Sequence, residues 1–158
     1  MCATSVVAPL LVLFGLLATQ AFAQPGFDVR MQQEAGAKEL RVSLALHGTE
    51  AFGLGDAVLA IAYDTLLYHR AELVSAPVFG EPPYRPVELH TAGDSLYVGV
   101  FYNYREHPGT GKRVGTDWTE VAVLRFLLKT KQAPPMLLLP DASGVLRDDG
   151  VELFLRAE

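Results

Sequence analysis

The chain has 158 residues, half of them hydrophobic, and a formal net charge of −5 at pH 7. Its 13 Lys/Arg and 18 Asp/Glu all fall after residue 23 and are interspersed, with no long block of either sign. That distribution argues against nucleic acid or an anionic membrane as partner, and the lone Cys2 excludes a disulfide framework.

Residues 1–23 carry no charged side chain, and Val6 to Leu17 form an apolar run interrupted only by Pro9 and Gly15. Ala21-Phe22-Ala23 supplies the small-x-small pattern of a signal-peptidase site, and Gln24-Pro25-Gly26 follows as a polar exit. The segment predicts a cleavable signal peptide over residues 1–23. The run is shorter than the ~20 apolar residues a membrane span needs, and Cys2 does not stand after the cleavage site, where a lipidated Cys would. The product is therefore expected to be secreted, into a periplasm or the extracellular space, with no membrane span. Residues 24–158 are expected to form one domain, large enough to be stabilised by core packing without disulfides.

Phe27-Asp28-Val29-Arg30-Met31 alternates apolar and charged residues, the mark of a strand with one face in the core. After a turn over 34–38, Leu40, Val42, Leu44 and Leu46 point one way and Arg41, Ser43 and His47 the other. Gly48, Gly53 and Gly55 punctuate the next stretch. Residues 57–63, Ala-Val-Leu-Ala-Ile-Ala-Tyr, are apolar at every position and read as a central strand covered on both faces. A short strand is expected over 72–75. Pro77, Pro82, Pro83 and Pro86 make the following stretch a loop or an edge strand. Strands resume over 87–90 and 95–102, the second with Leu96, Val98 and Val100 opposite Tyr97, Gly99 and Phe101. A polar loop over 103–111 precedes a long strand over 121–128, and three short strands are expected over 136–139, 144–147 and 151–156. The fold class is all-β: an antiparallel β-sandwich of nine to ten strands, with a closed barrel as the alternative architecture.

The order of these elements resembles the cohesin-like and carbohydrate-binding β-sandwich modules of secreted bacterial proteins. The resemblance rests on the opening Phe27-Asp28-Val29-Arg30 strand, on Phe52-Gly53-Leu54-Gly55-Asp56 leading into the 57–63 strand, and on the Asp after Tyr63. Leu96-Tyr97-Val98-Gly99-Val100 and the strand from Val121 to Phe126 continue it. It implies a jelly-roll sandwich and non-catalytic adhesion to a polysaccharide or a partner protein module. Two other readings are a structural subunit that pairs through an edge strand and a small secreted hydrolase.

Catalytic signatures are lacking. No Gly-x-Ser-x-Gly elbow occurs, and Gly109-Thr110-Gly111-Lys112 does not lead from a strand into a helix as a phosphate loop must. His47, His69, His90 and His107 are far apart in sequence and form no close ligand pair, so no metal ligand is assigned to them. Non-enzymatic function without a cofactor is expected. Asp141-Ala142-Ser143-Gly144 and Asp148-Asp149-Gly150 resemble oxygen-rich calcium turns, yet hairpin turns require the same residues.

Aromatic residues cluster between 97 and 118. Sugar rings stack an apolar face on aromatic rings while amides and guanidinium groups bond their hydroxyls. Tyr97, Asn103, Tyr104, Arg105 and Trp118 are therefore the candidate ligand-binding residues, with Tyr97, Tyr104 and Trp118 expected to be accessible. The 103–118 end of the sandwich is the expected contact surface.

Overall fold

A computed structural model describes residues 25–131 and 134–156; the predicted signal peptide lies outside the described residues. Ten strands run in chain order as β1 (Gly26–Ala35), β2 (Glu39–Gly48), β3 (Phe52–Ala62), β4 (Tyr68–Ser75), β5 (Glu88–Ala92), β6 (Ser95–Val100), β7 (Arg113–Val114), β8 (Thr119–Leu128), β9 (Gly144–Arg147) and β10 (Glu152–Leu155). A 3-10 turn at Pro140–Ala142 is the only helical element among the described residues, and no helix there is long and apolar enough to cross a membrane.

The strands lie in the order β4-β8-β2-β1-β10-β9-β3-β6-β5, with β7 paired to the start of β3. β4, β8, β2, β1 and β10 make one layer of the sandwich and β9, β3, β6 and β5 the other; the β9–β10 hairpin joins them. All pairings are antiparallel except that of β1 with β10. Alternation supplies the filling: Phe27, Val42, Leu44, Leu46, Leu124 and Phe126 from one layer meet Leu54, Leu59, Ile61, Leu96, Val98 and Val100 from the other, all essentially inaccessible to water. Each such side chain contributes about 1.5–3 kcal/mol relative to an exposed one.

Three expectations change. The Gly-punctuated stretch before residue 57 is the first half of β3, because β7 and β9 pair with its backbone at Gly53 and Leu54. Residues 136–139 form no strand. Pro134, Pro135 and Pro140 flank this stretch and remove the donors that would extend a ladder on either side, and it meets β3 through one bridge, Leu138 to Ile61, flanked by Ala62 N–H to Leu137 O at 2.8 Å and Leu139 N–H to Ala60 O at 2.8 Å. Finally, β3 is central but only partly covered on its second face. Ala57, Leu59 and Ile61 face the core; on the other side Ala60 is fully buried, whereas Val58 and Ala62 are partly exposed.

Candidate functional site

The partly covered face of β3 continues across its neighbours. Val58 pairs with Gly99 and Ala60 with Tyr97, so the outward positions of β6 are Tyr97 and Gly99, with Phe101 following. On the other side Val58 pairs with Gly144 of β9, placing Leu146 outward as well. Val58, Phe101, Gly144 and Leu146 line a shallow hollow together with Glu152 and Asp56, whose Oδ1 accepts from Tyr102 N–H at 2.7 Å. Outward residues of β5 are Glu88 and His90, whose ring lies 6.4 Å from that of Tyr97.

The opposite layer presents a different surface. By register its outward positions are Asp28, Arg30, Gln32 and Glu34 on β1, Arg41, Ser43 and His47 on β2, and Arg125 on β8, which pairs with Glu72 of β4. An antiparallel sheet with one solvated face normally alternates apolar and polar in this way. The exterior of the β9-β3-β6-β5 layer is apolar at its centre, at Val58, Phe101 and Leu146, and polar along β5, while the opposite layer also exposes Val74, Leu127 and Trp118.

Asp28 is buried on the polar exterior. Arg156, just beyond β10, grips both oxygens through Nε and Nη2, with Nε at 2.9 Å from Oδ1, and His47 Nδ1 stands 3.0 Å from Oδ2. The Arg156 guanidinium, aided by His47 and opposed by burial, holds the carboxyl below its usual range. Trp118 lies on the same face: its ring centroid is 5.2 Å from that of His47 and 4.5 Å from Arg30 Cζ, and 38% of its surface is exposed.

The five residues singled out in the sequence do not form one platform. Tyr97 is half-buried on the exterior of β6, and Trp118 is on the exterior of the other layer. Asn103 closes its own turn, its amide donating to Glu106 Oε2 at 2.7 Å and its carbonyl accepting from Glu106 N–H at 3.3 Å. Arg105 is exposed in that turn. Tyr104, expected to be accessible, turns inward: its hydroxyl accepts from Asp56 N–H at 3.2 Å, and its ring meets Tyr102 edge-on at 4.9 Å. It reaches into space left by Gly55, where a Cβ would collide with its oxygen. Burial pushes the Tyr104 phenol above its usual range.

The 103–112 loop is pinned from beneath. Tyr84 donates to Leu54 O at 2.7 Å and accepts from Lys112 N–H at 2.8 Å, while Gly111 N–H donates to Asp148 Oδ2 at 3.0 Å. Tyr102 O–H donates to His107 O, and Lys112 Nζ to Val78 O. Asp148 is thus engaged with a backbone amide, and Asp149 pairs with Arg147 at 2.9 Å. In the other turn considered for calcium, Ser143 Oγ donates to Leu139 O at 2.9 Å. Among the described residues no group of three or more His, Cys, Asp or Glu side chains converges as a metal site.

Sequence reasoning missed Val58 and Leu146 as partly exposed residues. The one signal was the unbroken apolar run over 57–63, which was read as a strand covered on both faces.

No protein-family model and no curated protein sequence matches the chain. Solved structures do. A type I cohesin–dockerin complex from Clostridium thermocellum aligns with a TM-score of 0.60 at 11% identity, over 82% of this chain and 94% of the other. The sixth cohesin of Acetivibrio cellulolyticus scaffoldin B, solved with a dockerin, gives 0.57 at 14% identity over 85% and 94%. The second type II cohesin of the ScaA adaptor scaffoldin from the same organism gives 0.57 at 11% identity, again over 85% and 94%. The chain therefore has the cohesin-like β-sandwich fold.

Proposed function

We propose that this protein is an exported, non-catalytic module that binds a partner protein module through the exterior of the β9-β3-β6-β5 layer. The observation that carries this reading is that the half-buried apolar side chains of Val58, Phe101 and Leu146, on three different segments, meet in one shallow hollow on that exterior. Partly exposed apolar side chains gathered in a hollow with polar residues beside them have the composition of an interface core and its rim. The cohesin-like neighbours crystallised with dockerins support a protein module as the partner. Co-elution of residues 24–158 with members of a panel of dockerin modules tests it. Complex formation that is abolished by Val58→Arg or Leu146→Glu is expected. Export adds its own check: N-terminal sequencing of the secreted protein should begin at Gln24.

A second reading, contact with a polysaccharide, is favoured by the exposed indole of Trp118 beside Arg30 and His47. Trp118 is the only Trp in the chain, so a saturable change in tryptophan fluorescence with soluble oligosaccharides would report this site alone. An unchanged spectrum would remove the reading.

A further inference from the structure

At the end of β3 away from the 103–112 loop, a hollow of about 480 Å³ opens between the β3–β4 connection, the β5–β6 turn and the segment leading to the Pro140 turn. Its walls include Tyr63, Asp64, Tyr68, Asp94, Met136 and Leu137. The volume lies within the ~300–1,000 Å³ typical of sites that enclose small ligands or single side chains.

The floor is apolar. Tyr63, Tyr68 and Met136 are buried, and both phenol hydroxyls are committed to the backbone, Tyr63 to His69 O at 2.6 Å and Tyr68 to Pro134 O at 2.8 Å. These residues therefore offer ring surface more than hydrogen bonds. The two most exposed large apolar side chains among the described residues flank this same hollow: Leu66, 79% exposed, stands between two wall residues, and Leu137, 64% exposed, is itself part of the wall. One exposed leucine needs no explanation, but one in the wall of a concave apolar surface and a second on the connection that forms that wall mark a contact site.

Charge selects what enters. Asp64 Oδ1 accepts from Leu66 N–H at 2.7 Å and Asp94 Oδ1 from Ser95 O–H at 3.3 Å, and neither carboxylate takes part in a salt bridge among the described residues. The positive group bonded nearby, Lys129 Nζ, is held by Thr65 O at 2.6 Å. Two carboxylates against this one ammonium leave the wall net negative, which favours a cationic entrant over an acidic one.

The geometry points to a second docking site: this hollow receives a partner polypeptide segment that inserts an apolar side chain next to a Lys or Arg, the apolar group against Tyr68 and Met136 between the two leucines and the cation between Asp64 and Asp94. The site lies at the end of the sandwich, not on the exterior of the β9-β3-β6-β5 layer, so it stands or falls independently of the proposed function.

The test uses residues 24–158 and two blocked pentapeptides, Gly-Leu-Lys-Leu-Gly and the same peptide with Glu in place of Lys, followed by backbone amide NMR. The lysine peptide should shift the amides of Asp64, Gly93 and Leu137 saturably while the glutamate peptide does not. The double variant Asp64→Asn, Asp94→Asn keeps a side-chain oxygen to accept from Leu66 N–H; it should weaken the lysine peptide about tenfold, in line with coupling energies of close charge pairs. Leu66→Ser, an exposed position that leaves the fold intact, should weaken it too. Equal binding of the two peptides, or no saturable shift at these amides, would overturn the proposal.

Discussion

The ring of Phe101 lies across the backbone of Gly99, so close that a Cβ on Gly99 would stand 2.6 Å from it. The ring thus lies against the sheet exterior, with the Arg85 guanidinium carbon 5.1 Å from its centroid. A strand glycine of this kind marks the close approach of another group. Gly99→Ala should lift Phe101 and cost about 1–3 kcal/mol, the usual range for an overpacked contact. Thermal unfolding and the Phe101 ring resonances check this, and an unchanged melting temperature with unmoved resonances would show that the ring does not rest there.

Asp28 ties β1 to β2 and to the residue after β10. Because its folded pKa is depressed, the stability it contributes is complete above the ordinary Asp range and is lost as pH falls through the lower folded value. Asp28→Asn should destabilise the protein at pH 7 by about 1–3 kcal/mol, the cost of removing a charged hydrogen-bond partner. The gap between wild type and variant should close as the pH drops below about 4, where the unfolded carboxyl protonates. Urea unfolding across pH 2–7 measures it.

Tyr84 is the buried post under the 103–112 loop. Its hydroxyl joins Leu54 O to Lys112 N–H, and burial drives its phenol well above the usual range. Tyr84→Phe strands a carbonyl and an amide and should cost about 1–3 kcal/mol. Hydrogen exchange should accelerate first at Lys112, and unchanged exchange there would mean that the loop is held by other bonds.

Much of this architecture was legible in the residues. β1, β2 and β6 alternate in sequence, and the side expected in the core is the more buried one in β2 and β6, with Phe27 the anchor of β1; β8 was legible only as a long apolar strand. Phe52 to Asp56 was harder, because glycines weaken strand propensity and only the pairing with β7 and β9 makes a strand there. Residues 136–139 failed for the opposite reason: their apolar composition suits a strand, but the flanking prolines and a bidentate clamp from Gln33 onto Met136 N–H and O fix them as an irregular connection.

The candidate site was less legible, since it depends on which strands lie side by side. Trp118 and Tyr97 are 21 positions apart and aromatic, yet β8 and β6 belong to different layers and their exteriors face opposite directions. Conversely, Val58 and Leu146 are remote in sequence and share a hollow through the β3–β9 pairing. Composition carries no information about either fact. An all-apolar run cannot by itself tell a strand covered on both faces from one whose second face is partly open.

A backbone amide footprint of the protein bound to a dockerin module taken from the panel tests the docking face most directly. The account predicts that perturbed amides concentrate at Val58, Ala60, Tyr97, Phe101 and Leu146, with those around Arg30, His47 and Trp118 unmoved. A footprint centred on the Trp118 face or on the 103–112 loop, or the absence of a complex with every member of the panel, would contradict it.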